Sequence, residues 1–218
     1  MLDKSDMPLL FCGVMFAGVL SLAAGSQEPP LETPITVDMA QLPATPLGRA
    51  PDGAPLQTAV PAQIVDVADG FQAELLYAYA IDGLVVSRRA FRGRGANQIS
   101  PLDLGIVWGA MAEDGMTNHM RFTAGRRVLN LRIDDVSSLP RNWQHQITNN
   151  HLIPASDAAR EALLAVEVGQ RVRIVGYLVN VTGDTMGPWR SSTSRTDGSI
   201  VSGCEIILVR GVEVLPTA

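Results

Sequence analysis

A histidine preceded by two asparagines is the first candidate for chemistry in this chain. His151 follows Asn149 and Asn150. Histidine titrates near neutral pH and neighbouring amides can orient its ring, so His151 is a candidate general base. The alternative is a structural role, in which His151 hydrogen-bonds backbone groups at a junction between a loop and a helix. A single histidine does not decide between these roles.

A dense polar cluster follows Trp189. It contains three serines, an arginine and an aspartate, namely Ser191, Ser192, Ser194, Arg195 and Asp197. With His151 and Cys204, a serine such as Ser192 could supply the nucleophile, base and acid of a hydrolase. The chain has no Gly-x-Ser-x-Gly segment that would expose a strained serine.

The same polar cluster also has a structural interpretation. Serine hydroxyls bond to nearby backbone in turns, and Arg195 could bridge carboxylates such as Asp197 and Glu205. Trp189, Arg195 and Asp197 are therefore candidate binding residues as well as neighbours of a possible catalytic serine.

Four arginines surround Phe91. They are Arg88, Arg89, Arg92 and Arg94. Such a cluster could bind anionic lipid, lipopolysaccharide or a cell-wall polymer, which makes Arg88, Arg89 and Arg92 candidate binding residues. In the alternative, the arginines protect an edge strand from pairing with another chain.

Metals, cofactors and nucleic acids are not predicted. The three histidines and two cysteines occur without a CxxC or HExxH pattern. The formal net charge of -5 gives no concentrated positive charge for a nucleic acid. Cys204 is expected to be buried and unreactive, and no disulfide framework is predicted.

The N-terminal region is typical of an exported protein. Residues 7–24 are apolar and carry no charge. Their length falls between that of a cleavable signal peptide and that of a spanning helix, so residues 1–25 are a signal peptide or a single transmembrane anchor. The expected location is periplasmic, anchored in the inner membrane or secreted.

A proline-rich stretch separates this region from the rest of the chain. Residues 26–61 hold eight of the fourteen prolines, a composition typical of an extended linker. Residues 62–218 are then the soluble domain.

The first half of this domain predicts a hairpin and a short helix. The β-prone runs 75–81 and 84–91 flank Asp82-Gly83, a pair that favours a tight turn. Ser100 and the proline after it resemble a helix start, in which Asp103 would bond free N–H groups.

The second half alternates turns, a helix and strands. A second hairpin is predicted over 120–133 with its turn at Ala124-Gly125, followed by a loop over 134–150. Ser156 is the predicted N-cap of a helix that extends to Val166. Strands are predicted over 171–179 and 205–209, and these two should pair.

These elements favour an α+β fold. The expected domain is a strand-rich single unit with a small antiparallel sheet or partly closed barrel and one or two short helices. The strand over 171–179 also has the character of strands in oligonucleotide-binding-type barrels.

Several segments resemble those of an uncharacterised family of short exported bacterial proteins. The resemblance spans roughly 77–209. It rests on Ser-Pro-x-Asp with Trp-Gly-x-Met, on His-Leu-Ile-Pro-Ala, on Gly-Tyr-Leu-Val, on Trp-Arg-Ser-Ser-x-Ser-Arg-x-Asp and on Cys-Glu, which begin here at Ser100, Trp108, His151, Gly176, Trp189 and Cys204. A Met-Gly-Pro turn at 186–188 departs from the family pattern. The resemblance implies a common domain type and no assigned activity.

The tether and linker favour a non-catalytic envelope module that binds a partner protein or an anionic envelope component. The alternative is a hydrolase that uses His151 with a serine of the 191–194 cluster or with Cys204. A third hypothesis is a scaffold within a larger envelope assembly.

Overall fold

Alternating apolar runs give this chain mostly strands. The computed structural model describes residues 33–46, 48–50, 53–194 and 204–216. The strands are β1 Leu56–Ala68, β2 Phe71–Ala90, β3 Leu102–Val107, β4 Met120–Gly125, β5 Val128–Ile133, β6 Ile147–Pro154, β7 Arg171–Gly183, β8 Met186–Trp189 and β9 Cys204–Leu215. The α-helices are α1 Ala96–Ile99 and α2 Asp157–Leu164. Short 3-10 turns occupy Met39–Gln41, Gly109–Ala112, Met116–His119, Val136–Ser138 and Trp143–Gln146.

The main sheet has seven strands in the order β1-β2-β3-β6-β9-β7-β8. Strand β2 pairs with β7 as well as with β3, so the pairings β2-β3-β6-β9-β7 return to β2. Strands β6 and β9 run parallel, and the long connection that a parallel pair requires contains α2, β7 and β8. The α+β, strand-rich domain is confirmed. The prediction of a small antiparallel sheet was wrong, since the sheet is large and mixed.

Strand β2 replaces the first predicted hairpin, which was wrong. The chain runs straight through Asp82-Gly83. Both carboxylate oxygens of Asp82 accept hydrogen bonds from Arg173 of β7 at 2.9 Å, and the two residues are in register. Gly83 lies against the backbone of β3, where a Cβ would come 2.4 Å from the Val107 carbonyl oxygen. Tertiary pairing thus overrides a local turn signal.

Two further expectations need correction. Ser100 follows α1 instead of starting a helix, and Asp103 lies within β3. The predicted loop over 134–150 ends in strand, because β6 begins at Ile147 and is flanked by β3 and β9. His151 therefore lies in the middle of a sheet and not at a junction between a loop and a helix.

The later elements agree with the sequence. Strands β4 and β5 form the second hairpin, although its turn lies at Arg126-Arg127. Ser156 caps α2 by accepting a hydrogen bond from the Ala159 N–H. Strands β7 and β9 pair antiparallel as predicted.

Three clusters of buried apolar side chains hold these elements together. The first packs Leu163 and Val166, from α2 and the residues after it, on the sheet. The second covers Ile153 and its neighbours with the N-terminal segment that contains Leu42. The third packs the β4–β5 hairpin around Trp143. The β4–β5 hairpin is thus packed against the main sheet.

Much of the predicted linker lies on the sheet. Residues 33–46 and 48–50 form what we call the strap. Leu42 is only 8% exposed, the Tyr177 hydroxyl donates to the Pro43 carbonyl, and Arg173 donates to the Gly48 carbonyl at 2.8 Å. Carbonyl groups of proline-rich chain have few backbone donors nearby, and here side chains of the sheet supply them. Strand β1 begins at Leu56, before the predicted end of the linker.

Removing the strap should therefore destabilise the domain. A chain that starts at Gly53 is expected to lose about 3–5 kcal/mol of unfolding free energy relative to one that starts at Thr33. Burial of a leucine contributes about 1.5–3 kcal/mol and each hydrogen bond about 0.5–1.5 kcal/mol. Equilibrium urea unfolding measures the difference. Equal midpoints for the two chains would show that the segment is only a spacer.

The predicted signal peptide or anchor, residues 1–25, lies outside the described residues. In the part of the chain that the structure covers, no helix is long and apolar enough to cross a membrane.

Candidate functional site

The middle of the sheet carries polar residues. Strand β6 is buried along its whole length, yet it contains Asn149 and His151. Strand β3 contains Asp103, which is 2% exposed. Asp103 is in register with His151, and Asn149 is in register with Cys204 of β9. Residues in register share a face, and alternate residues return to it, so these four side chains lie on one face of the sheet.

The tip of the β4–β5 hairpin adds Arg127 to this face. Arg126 and Arg127 both have positive φ, 48° and 61°. Glycine, asparagine and aspartate adopt such angles most readily, whereas other residues are strained by roughly 1–2 kcal/mol. Gly105 lets the hairpin approach, since a Cβ there would lie 2.9 Å from a methyl carbon of Leu129. The strained turn thus serves to place Arg127.

Arg127 binds a set of buried acceptors. Its Nη1 donates to Oδ1 of Asp103 at 2.7 Å and to the Ser100 hydroxyl at 3.2 Å. Its Nη2 donates to the Ser100 carbonyl at 2.6 Å and to Oδ1 of Asn97 at 2.8 Å. The Arg127 carbonyl in turn accepts from Nδ2 of Asn149 at 3.0 Å. Arg127 therefore ties the hairpin to β3, to β6 and to the loop that contains α1.

Two aromatic rings flank the Arg127 guanidinium. Its central carbon lies 4.2 Å from the Phe91 ring centroid and 5.1 Å from the Trp189 ring centroid. Both contacts are within the range of cation–π attraction. Trp189 also packs on His151, with centroids 4.9 Å apart and planes tilted by 43°. Burial lowers the pKa of Arg127, and the charge of Asp103 acts in the opposite direction.

His151 lies beside the same carboxylate. Its Nδ1 is 3.0 Å from Oδ1 of Asp103, but the two atoms do not form a hydrogen bond. In the part of the chain that is described, neither His151 Nδ1 nor Asp103 Oδ2 has a hydrogen-bond partner. We call the following group the polar centre: Asn97, Ser100, Asp103, Arg127, Asn149 and His151.

The polar centre is better suited to hold structure than to catalyse. His151 is 3% exposed and covered by Trp189, whereas a general base must reach the proton it removes. The guanidinium of Arg127 is used by protein acceptors on several sides. The polar centre therefore serves to position the α1 loop relative to the sheet.

The described serines bond to backbone groups of their own segment and of β9. The Ser191 hydroxyl donates to the Ser192 carbonyl and accepts from the Ile206 N–H. The Ser192 hydroxyl accepts from the Ser194 N–H. These are contacts that the structural interpretation requires. Arg195 and Asp197 lie outside the described residues, so their proposed bridge stays a prediction.

Cys204 is half-buried, more exposed than the sequence suggested. Cys204 lies next to the serine cluster, because the Ser192 N–H donates to the Cys204 carbonyl. Burial raises the pKa of the Cys204 thiol, and the charges of Glu205 and Asp103 raise it further, while a contact with Asn149 opposes them. The neutral thiol is therefore favoured, and a neutral thiol is a poor nucleophile.

Cys204 should accordingly react slowly with iodoacetamide at neutral pH. We expect a rate below that of free cysteine and a half-maximal rate at a pH above the ordinary range for a thiol. The raised pKa also means that the folded state holds this proton more tightly than the unfolded state. The resulting stability is present below the unfolded-state pKa and is lost as the pH rises through the folded-state pKa. A rate equal to that of free cysteine would contradict this expectation.

The predicted basic cluster is divided among several roles. Arg88 donates to the Leu164 and Val166 carbonyls at the C-terminal end of α2, where a cation is favoured. Arg89 donates to the Ala124 carbonyl at 3.3 Å. Arg92 is exposed. The cluster therefore does not form one continuous basic surface.

A hollow of about 330 Å³ lies between the strap, the α1 loop and α2. We call it the arginine pocket because Arg88, Arg92 and Arg160 line it. The remaining lining residues are uncharged and mostly apolar: Thr33, Pro34, Ile35, Val67, Ala68, Ala90, Phe91, Gly93, Asn97, Gln98, Ile99, Pro101, Ile153, Pro154 and Leu164. Among the described residues, no carboxylate lines the pocket.

The polar centre and the arginine pocket share a wall. Phe91 and Asn97 line the pocket on one side and contact Arg127 on the other. Ile153 of the pocket lies two residues after His151 on β6. Pro101 of the pocket lies two residues before Asp103, immediately before β3. The polar centre thus sets the position of the pocket wall.

Sequence reasoning missed three residues of this arrangement. Asp103 was assigned to a helix start, although a lone carboxylate inside the run Leu-Asp-Leu-Gly-Ile-Val indicates a buried partner. Arg127 had no assigned role; two arginines at a hairpin tip, where glycine or asparagine is usual, were the available signal. Arg160 lies on the polar side of a correctly predicted helix, and no local signal marks it.

Comparison of the chain with protein-family models, with curated proteins and with solved structures finds no match. Within the described ranges, no group of three or more histidine, cysteine, aspartate or glutamate side chains could hold a metal ion.

Proposed function

We propose that this chain is a non-catalytic envelope module whose arginine pocket binds an anionic envelope component. The observation that carries the proposal is that three arginines, Arg88, Arg92 and Arg160, line a hollow to which no carboxylate of the described residues contributes. This grouping occurs on a chain whose formal net charge is -5. An anion in the pocket would relieve the repulsion among the arginines and form charge-assisted hydrogen bonds with them.

The strand pairings support a partly closed barrel. In space the five strands have the order β2-β3-β6-β9-β7, and helix α2 lies between β6 and β7 in the chain. This arrangement resembles the five-stranded barrel of oligonucleotide- and oligosaccharide-binding folds. Such barrels bind ligands beside their second and third strands and the loops near them. Here these strands are β3 and β6, and the pocket wall at Phe91 and Asn97 follows the first strand of the ring.

The hydrolase hypothesis has less support. Cys204 has a raised pKa, and the Ser192 hydroxyl accepts from turn backbone. His151 is buried beneath Trp189. The geometry thus favours binding over nucleophilic catalysis, while export and attachment to a membrane stay predictions from residues 1–25.

The proposal is tested by titration with a small soluble anion. We would titrate the full-length chain, in nanodiscs of phosphatidylcholine, with methyl phosphate and follow arginine side-chain NMR signals. The double variant Arg92→Glu/Arg160→Glu is expected to weaken binding at least about tenfold, since each reversed charge near the anion costs about 1 kcal/mol even when solvated.

Arg141→Glu is the matched control. Arg141 is exposed and does not line the pocket, so its variant should bind methyl phosphate as the unaltered chain does. Absence of binding, or equal weakening by the control and the pocket variant, would contradict the proposed function.

A further inference from the structure

We infer that the arginine pocket takes a single-chain anionic amphiphile, with a carboxylate or phosphate headgroup on the arginines and a hydrocarbon tail on the apolar floor. This inference rests on the proposed function and specifies the ligand class.

The headgroup end has unused guanidinium donors. Arg92 is exposed and forms no ion pair with the rest of the described chain. Arg88 uses Nε and Nη2 on the end of α2 and leaves Nη1. Arg160 donates from Nη2 to the Thr33 carbonyl, and its nearest carboxylate, at 3.6 Å, belongs to the exposed Asp157. Guanidinium groups bind carboxylates and phosphates through paired N–H donors.

The floor of the pocket is hydrocarbon. Its open part is formed by the partly exposed side chains of Ile35, Phe91 and Leu164, and Leu164, which is 43% exposed, stands on α2 one turn after Arg160. The other apolar lining residues Val67, Ile99 and Ile153 are at most 4% exposed and are already covered by protein. A small hydrophilic anion would leave this floor in contact with water. A ligand that carries its charge at one end and a chain at the other matches both parts of the lining.

The size of the pocket favours a ligand with a single hydrocarbon tail. A volume of about 330 Å³ is at the lower end of the range of about 300–1,000 Å³ that small-molecule pockets span. The strap on one side and the α1 loop on the other are each held by hydrogen bonds, through Arg160 and Arg127. The space between them is therefore bounded, and a single tail is the ligand that it fits.

The experiment varies the tail at constant headgroup. The full-length chain in the same phosphatidylcholine nanodiscs is titrated with methyl, butyl, hexyl and octyl phosphate, and in a second arm with acetate, butanoate, hexanoate and octanoate. Affinity should rise up to about fourfold for each added methylene until the floor is covered, because each buried methylene contributes about 0.8 kcal/mol. The two arms show whether phosphate or carboxylate is the preferred headgroup.

A matched pair of surface variants locates the tail. Leu164→Ser should weaken octyl phosphate about three- to tenfold and leave methyl phosphate unchanged, since only the tail contacts this side chain. Val168→Ser removes an apolar residue that is more exposed, at 58%, and does not line the pocket, and it should change neither affinity.

The outcomes separate the inference from the proposed function. If methyl and octyl phosphate bind with equal affinity and the Arg92→Glu/Arg160→Glu variant weakens both, anion binding stands and the amphiphile inference is overturned. If octyl phosphate binds more tightly but Leu164→Ser and Val168→Ser have the same effect, the tail lies elsewhere and the inference is also overturned. If neither a phosphate nor a carboxylate binds in the pocket, the proposed function itself fails.

Discussion

Replacement of Arg127 by methionine is expected to lower the free energy of unfolding by about 3–5 kcal/mol. The Asp103 side chain is 1% exposed, and Arg127 supplies its cationic partner at 2.7 Å. Removing one partner of a buried ion pair leaves the other charge without compensation, and this costs about 3–5 kcal/mol. The acceptors on Asn97 and Ser100 lose their donor as well. Urea unfolding followed by tryptophan fluorescence measures the change.

Arg121→Met is the control for this prediction. Arg121 lies on the same hairpin and pairs with Asp134 at 3.4 Å, but it is largely exposed, so its loss should cost less than about 1 kcal/mol. The double variant Arg127→Met/Asp103→Asn should be more stable than Arg127→Met alone, because the uncompensated charge is removed. An effect of Arg127→Met no larger than that of Arg121→Met would show that the polar centre does not hold the hairpin.

Gly83→Ala should also be strongly destabilising, by about 2–4 kcal/mol. A Cβ at Gly83 would lie 2.4 Å from the Val107 carbonyl oxygen and 2.5 Å from Cγ2 of Ile106. Since the first contact is with backbone, β2 and β3 must move apart, and overpacking of this kind typically costs about 1–3 kcal/mol or more. Thermal unfolding of the full-length variant tests the prediction.

Gly187→Ala provides the comparison. Gly187 lies in β8, and a Cβ there would meet nothing within 4 Å, so the change should stay within about 0.5 kcal/mol. Equal stability of the two alanine variants would mean that β2 does not continue past Asp82 as described, and the hairpin interpretation would return.

The behaviour of Asp82-Gly83 shows where the sequence is a sufficient guide to the fold and where it is not. Capping at Ser156 and the alternation in β7 depend on neighbouring residues, and these predictions were correct. Asp82-Gly83 has the residues of a turn, but its conformation depends on Arg173 and Val107, which are distant in the sequence. Local structure that depends only on residues close in the sequence could be predicted from the sequence. Structure that depends on contacts across the sheet could not.

The same limit applies to the site. His151, Trp189 and Cys204 were recognised as unusual by their types, but the common face of His151 and Cys204 depends on the register of β6 and β9. Trp189 reaches His151 from β8. The arginine pocket is formed by segments as distant as Thr33 and Arg160. Its members could not be grouped before the fold placed them together.

The strap has a mechanical consequence. Thr33 lines the arginine pocket, and its carbonyl accepts a hydrogen bond from Arg160. Tension transmitted through Thr33 would therefore act on a wall of the arginine pocket before it acts on Leu42 and β1. A ligand bound in the pocket would hold this wall in place and raise the force needed to displace it.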